Sequence, residues 1–162
     1  EVAPALENGS LDAGILGEPL ATLAEDQGLI ARLSEDFIEG FTPTVIFYNA
    51  EWAAANPELA QGFVKAFLRG ARDLNGDAWY DPENLAIIEK YTGVPADVVG
   101  RANRSYHDPN GQVPLEDLME LQRFFRDQGQ LSFEEEIDLG QFINSRYAET
   151  AVEELGGPVE WE

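Results

Sequence analysis

His107 is the only histidine of the chain, and the serines are Ser10, Ser34, Ser105, Ser132 and Ser145. A serine nucleophile needs an adjacent base and a turn that exposes its Oγ, and none of the five lies in a Gly-x-Ser-x-Gly elbow. One histidine excludes a His-based metal pair, and the absence of cysteine removes thiolate zinc sites, Cys nucleophiles and disulfides. No Gly-x-x-x-x-Gly-Lys or Gly-x-Gly-x-x-Gly loop is present to cradle phosphate. The expectation is therefore a non-enzyme with no cofactor, no catalytic residue and no metal ligand. His107 stands beside Asp108-Pro109-Asn110-Gly111, whose residue types read as a turn. From Tyr106 to Asp117 this stretch brushes against a calcium loop. Tyr106 stands where an Asp is needed and Pro114 falls at position nine, so a turn leading into a helix is the expectation.

Gly17-Glu18-Pro19 is chemically more interesting. It follows the apolar run Leu11–Leu16, which reads as a buried parallel strand, and Pro19 suits the first residue of a helix over 19–27. Ligands of open α/β sheets bind where strands give way to helices. Glu18 is acceptor-only when ionised, Gly17 lets backbone approach closely, and Pro19 fixes the turn. The motif reads either as a solvent-exposed turn acid or as a ligand contact.

The elements that would position these residues change character along the chain. A short helix over 3–8 stops at Asn8-Gly9. Strands are expected at Leu11–Leu16, Leu29–Leu33 and, most clearly, Thr44–Tyr48, which is β-branched and aromatic throughout. Beyond Asn49 the pattern is helical. Asn56-Pro57-Glu58 and Asp81-Pro82-Glu83 are strong helix starts. Apolar spacings mark helices from Leu59 to Leu74, from 81 to Tyr91, over 95–102, from Leu115 to Gly129, and from about Asp138 to Gly156. Three short strands make a poor sheet, because unpaired edges are expensive. Either they pair sparingly with each other, or their partners lie upstream of Glu1 or in another chain.

Charge narrows the partners. The 162 residues carry 31 acids and 10 bases, a net charge of −21, yet 44% are apolar. That apolar content argues for a folded chain, and the charge disfavours nucleic acid and anionic membrane surfaces as partners. The acid gathers at the two ends: residues 1–40 and 131–162 each hold nine acids and one base. Such a pattern reads as solvation. No apolar run approaches a membrane span. The chain begins at Glu1 without a Met and reads as a processed product or a piece of something longer.

The run from Ala5 to Pro19, including Asn8-Gly9-Ser10-Leu11-Asp12 and Gly17-Glu18-Pro19, resembles a segment of ABC-transporter solute-binding proteins. The group is the nitrate/sulfonate/taurine family, related to thiamine-precursor binders. Phe63-Val64-Lys65-Ala66-Phe67-Leu68-Arg69-Gly70-Ala71-Arg72-Asp73, the turn Asp108–Gly111, and the closing Ala151–Gly156 are similar to one subgroup, so the resemblance spans residues 3–156. It implies an α/β fold of the type II periplasmic-binding-protein kind, here as a helix-rich C-terminal portion with few strands. Residues 1–41 would end the middle (second) lobe, 42–49 would form a hinge strand, and 50–162 would be the helical remainder of the first lobe.

The resemblance also implies a site and a mechanism. Gly17, Glu18 and Pro19 match the strand-end motif that faces the cleft, where sulfonate binders often carry Trp-Asp-Pro. Thr42, Pro43 and Thr44 would begin the hinge strand, with Thr42 and Thr44 bordering the cleft. A small ligand, an amine or polar heteroaromatic on the chemistry of Glu18, would bridge two lobes for delivery to an ABC permease. The chain's own N-terminal half or another chain would complete the sheet. The expected location is periplasmic or extracellular, with or without a lipid anchor. Two other readings stay open: a ligand-sensing domain of a signalling system with the same fold, and an acidic helical interaction module without ligand.

Overall fold

The computed structural model describes residues 2–34 and 44–161. Every regular element among them is a helix: α1 (Val2–Glu7), α2 (Leu20–Asp26), α3 (Ala50–Ala55), α4 (Pro57–Asp73), α5 (Pro82–Thr92), α6 (Ala96–Val99), α7 (Leu115–Asp127) and α8 (Arg146–Glu154), with 3₁₀ turns at Gly76–Tyr80 and Leu139–Phe142. The described residues contain no strand and no sheet, which overturns the α/β class and each of the three expected strands. The physical reason is visible in the side chains. β-branched and aromatic residues favour a strand only when a neighbouring strand and a packed face reward them. Here the apolar runs remain without such neighbours, and Ile15, Leu33 and Phe47 are 71%, 92% and 88% exposed.

The described residues form two compact units, residues 2–34 with 73–107, and residues 44–72 with 108–161. This division interleaves in the chain. Thr42 and Pro43 lie outside the described residues.

In the first unit, α2 buries Ala21, Thr22 and Ala24, while α5 packs on α6, which buries Val98 and Val99. The Arg101 guanidinium grips the Asp26 carboxylate with two bonds of 2.7 and 2.8 Å, tying the end of α2 to the turn that follows α6. Bidentate geometry makes this pair more directional than a single surface contact. Asp81-Pro82-Glu83 starts α5 as its residue types dictate, and Gly93 ends it.

In the second unit, the Asn49 side chain accepts from the Trp52 amide at 2.8 Å and caps α3. Pro57 opens α4, whose inward face carries Ala60, Leu68 and Ala71. The core joins Ala53, Ala60 and Tyr147, with Tyr48 and Val64 packed against them. The Tyr147 hydroxyl donates to the Ala53 carbonyl at 3.3 Å, and the Tyr48 and Tyr147 rings meet edge to face at 5.9 Å. The closing helix is shorter than its periodicity suggested. A 3₁₀ turn at Leu139–Phe142 and a non-helical stretch precede α8, whose buried positions are Tyr147 and Ala151.

Candidate functional site

Glu18 sits where a segment without regular structure enters α2, and its peptide bond to Pro19 is cis. Its carboxylate is already engaged on both oxygens. Arg32 Nη1 donates to Oε1 at 2.6 Å. Thr22 donates to Oε2 from its hydroxyl at 2.8 Å and from its amide at 3.2 Å. Arg32 then reaches Thr22 Oγ1 with Nη2 at 2.8 Å and Glu25 Oε2 with Nε at 2.7 Å. Thr22 is buried, and the Glu18 and Arg32 side chains are only 16% and 20% exposed. Partial burial opposes ionisation of Glu18, but the hydrogen bonds from Arg32 and Thr22 outweigh it and hold the carboxyl below its ordinary range. Arg32 is correspondingly more firmly protonated, chiefly through its hydrogen bonds to Glu25 and Glu18.

This cluster assembles Gly17, Glu18 and Pro19 with two residues that the motif reading missed. Thr22 lies in the first turn of α2, and Glu18 just ahead of that helix accepts from its free first-turn amide and its hydroxyl, as a carboxylate at a helix entrance does. Arg32 is the single base among the first forty residues, and so the natural partner for one of their nine acids. Thr44 stands exposed in the other unit and takes no part in this cluster. Chemically, the cluster offers a carboxylate already balanced by a guanidinium. Such a site presents donors and acceptors side by side at low net charge.

Three of the stretches that carry the family resemblance meet in the second unit. Arg72, near the end of α4, donates to three backbone carbonyls: Nε to Pro109 at 3.0 Å, Nη1 to Leu155 at 3.1 Å and Nη2 to Gly157 at 2.8 Å. Pro109 is fully buried. Asp108 Oδ1 accepts from the Asn110 and Gln112 amides at 2.8 and 3.1 Å, which folds the turn as its residue types required. Asn110 then clamps the tail, donating to the Val159 carbonyl at 2.8 Å and accepting from its amide at 2.9 Å. Gly111 allows the closest approach. A Cβ there would lie 3.0 Å from Ala148 Cβ and 3.1 Å from Leu68 Cδ2. The Asp-Pro-Asn-Gly turn is thus a packing device joining α4, α8 and the tail.

Burial alone pushes His107 below the ordinary histidine value, so it is neutral near pH 7. Among the described residues no group of three or more His, Asp or Glu side chains is placed to hold a metal ion. A shallow open groove between α4 and α8 is lined by Glu58, Gln61, Lys65, Arg146, Tyr147 and Thr150. Lys65 pairs with Glu154 at 2.9 Å, and the Arg146 guanidinium lies over the Tyr147 ring at 4.6 Å, so much of its charge is internally occupied.

No family model, no curated protein and no solved structure matches this chain. None of its described helices is long and apolar enough to cross a membrane.

Proposed function

We propose that this chain belongs to the solute-binding component of an ABC importer, which captures a small polar molecule for delivery to a permease in the periplasm or outside the cell. The observation that supports it is the Glu18–Thr22–Arg32 cluster. Glu18 is the acid of the motif that resembles the family's strand-end motif, and in the structure it is ionised, partly buried and held in one orientation. Preorganised polar groups at low net charge suit a neutral polar ligand that both donates and accepts. An aminopyrimidine-like heteroaromatic fits that chemistry, with its N–H groups toward Glu18 and its ring nitrogens toward Arg32. Nitrate or a sulfonate would have to compete with Glu18 for the same guanidinium.

The test is thermal stabilisation of the native protein by an aminopyrimidine, taurine and nitrate in turn. The expected result is a rise in Tm with the aminopyrimidine that Glu18→Ala abolishes. An equal rise in Glu18→Ala would remove Glu18 from the site. A second reading, an acidic helical interaction module without ligand, is favoured by one observation: both Glu18 oxygens are satisfied from within the chain. Absence of stabilisation by all three probes, in wild type and variant alike, would select it.

A further inference from the structure

The sequence contains three Asn-Gly pairs, Asn8-Gly9, Asn75-Gly76 and Asn110-Gly111. Such a pair carries its own nucleophile: the glycine nitrogen, with no Cβ beside it, lies one ring closure from the asparagine Cγ. Reaction requires that hydroxide reach the glycine amide and that the asparagine side chain be free to leave its planar geometry. It is helped by donors that take up the charge developing on Oδ1. The fold treats the three pairs differently on each count.

At Asn110 the side chain is tied at both ends. Its Nδ2 donates to the Val159 carbonyl at 2.8 Å, and its Oδ1 accepts from the Val159 amide at 2.9 Å, so ring closure would have to release the tail. At Asn75 the obstacle is the glycine. Gly76 is buried where the 3₁₀ turn begins, out of reach of hydroxide. Asn8 meets every requirement. Asn8, Gly9 and Ser10 are all exposed. Ser10 donates to Asn8 Oδ1 from its amide at 2.9 Å and from its hydroxyl, so two donors point at the oxygen that becomes negative. The ring closed by the amide bond contains both Asn8 Cγ and the Gly9 nitrogen, which keeps the reacting atoms within one tight turn. The Gly9 amide itself has a single 3.2 Å bond to the Leu6 carbonyl, at the end of the six-residue α1. A helix of that length does not hold its last turn closed unaided.

We propose that Asn8-Gly9-Ser10 is a self-modifying site, at which the Gly9 nitrogen displaces ammonia from the Asn8 side chain while Ser10 stabilises the oxygen. Hydroxide takes the Gly9 amide proton and the nitrogen bonds to Cγ. The Cγ–Nδ2 bond then breaks, and Nδ2 leaves as ammonia with a proton from water, which regenerates the hydroxide. Water opens the resulting succinimide at either carbonyl, giving an aspartyl or an isoaspartyl linkage. One water is consumed and one ammonia released, with no change of oxidation state. Either product adds a negative charge at the C-terminal end of α1, where the helix dipole disfavours it. In the isoaspartyl product Cγ has entered the main chain, and Ser10 loses its acceptor. Glu18 takes no part, so this site holds or fails independently of the proposed function.

The test is incubation of the folded chain at pH 7 and pH 9, followed by digestion in mild acid and mass spectrometry of the three Asn-Gly peptides. Electron-transfer fragmentation identifies the isoaspartyl form. Expected in the folded protein is conversion of Asn8 at least about ten-fold faster than that of Asn75 or Asn110, and faster at the higher pH. In urea the three rates should converge. Ser10→Ala should slow Asn8 several-fold, with the other two rates and the helical circular dichroism unchanged. An Asn8 that converts no faster than Asn110 in the folded chain overturns the site, as does an Asn8 that converts only in urea. An unchanged Asn8 rate in Ser10→Ala overturns the part given to Ser10.

Discussion

Arg72 and Pro109 are joined across the second unit by a 3.0 Å hydrogen bond from the guanidinium Nε to the proline carbonyl. The other two nitrogens of the same group reach the Leu155 and Gly157 carbonyls. No carboxylate takes part in these contacts. The planar fork serves as a three-way backbone clamp, holding the turn at 108–111 and the exit from α8 against the end of α4. A lysine cannot span three directions with one ammonium group.

Arg72→Met is expected to lower stability by about 3 kcal/mol. Charged hydrogen bonds are each worth roughly 1.5–3 kcal/mol, and water would recover part of the loss. Arg72→Lys should recover less than half of it. Urea denaturation followed by the fluorescence of the tryptophans checks both. A loss below about 0.5 kcal/mol for Arg72→Met would show that the clamp contributes geometry without stability.

Gly111 supplies a sharper comparison. Its φ of +68° is shared by Gly129, but a Cβ at Gly129 would meet nothing within 4 Å, whereas at Gly111 it would meet Ala148 and Leu68 at 3.0 and 3.1 Å. Gly129→Ala is expected to cost about 1 kcal/mol, for the left-handed backbone alone. Gly111→Ala is expected to cost about 3 kcal/mol, because overpacking adds to the same strain. Equal costs at the two positions would show that α4 and α8 yield to the methyl group.

Local signals were legible where the information sits in adjacent residues. Asn56-Pro57-Glu58 and Asp81-Pro82-Glu83 mark the starts of α4 and α5, and Asp108-Pro109-Asn110-Gly111 folds as a turn. The strands failed for the opposite reason. Thr44–Tyr48 has strand composition, but a strand needs a partner edge, and no described residue offers one. The Glu18 cluster was half legible. The acid at the helix entrance stood out in its motif, whereas Arg32 is fourteen residues away and reaches it only through the tertiary fold. The Arg72 clamp lay further still from view, since its acceptors are carbonyls and carry no residue signature.

Gln122 is a buried amide that behaves as a piece of backbone. It donates to the Ile137 carbonyl at 2.8 Å and accepts from the Ile137 amide at 2.9 Å. Gln122→Leu keeps the volume but leaves both Ile137 groups without their partner, and is expected to cost about 2 kcal/mol. Gln122→Glu should be at least as costly at neutral pH, where a carboxylate would face the Ile137 carbonyl. It should regain stability as acid protonates it and restores a donor. Urea midpoints of the two variants at pH 7 and pH 4.5 test this, and a Glu variant no less stable at pH 7 than at pH 4.5, relative to wild type, would count against the clamp.

Two groups should divide the acid sensitivity of the first unit into separate windows. His107 is held below its ordinary value near 6.5 by burial, so its neutral form is the one the fold favours. Its contribution is complete above about pH 6.5 and is lost as pH falls through the lower folded value. Glu18 is desolvated, but the hydrogen bonds from Arg32 and Thr22 prevail and hold it below its ordinary 4.5. Its contribution is complete above that value and disappears only at lower pH, as the carboxyl protonates in the folded protein. Stability measured by urea denaturation from pH 7.5 to 3 should therefore fall in two steps. His107→Gln should erase the upper step alone, and Glu18→Gln the lower step alone, with the second variant already less stable at pH 7. Carboxyl-carbon NMR supplies the direct check. A Glu18 resonance titrating at or above 4.5 would mean that the Arg32 and Thr22 bonds do not outweigh desolvation, and the lower step would then belong to other carboxylates.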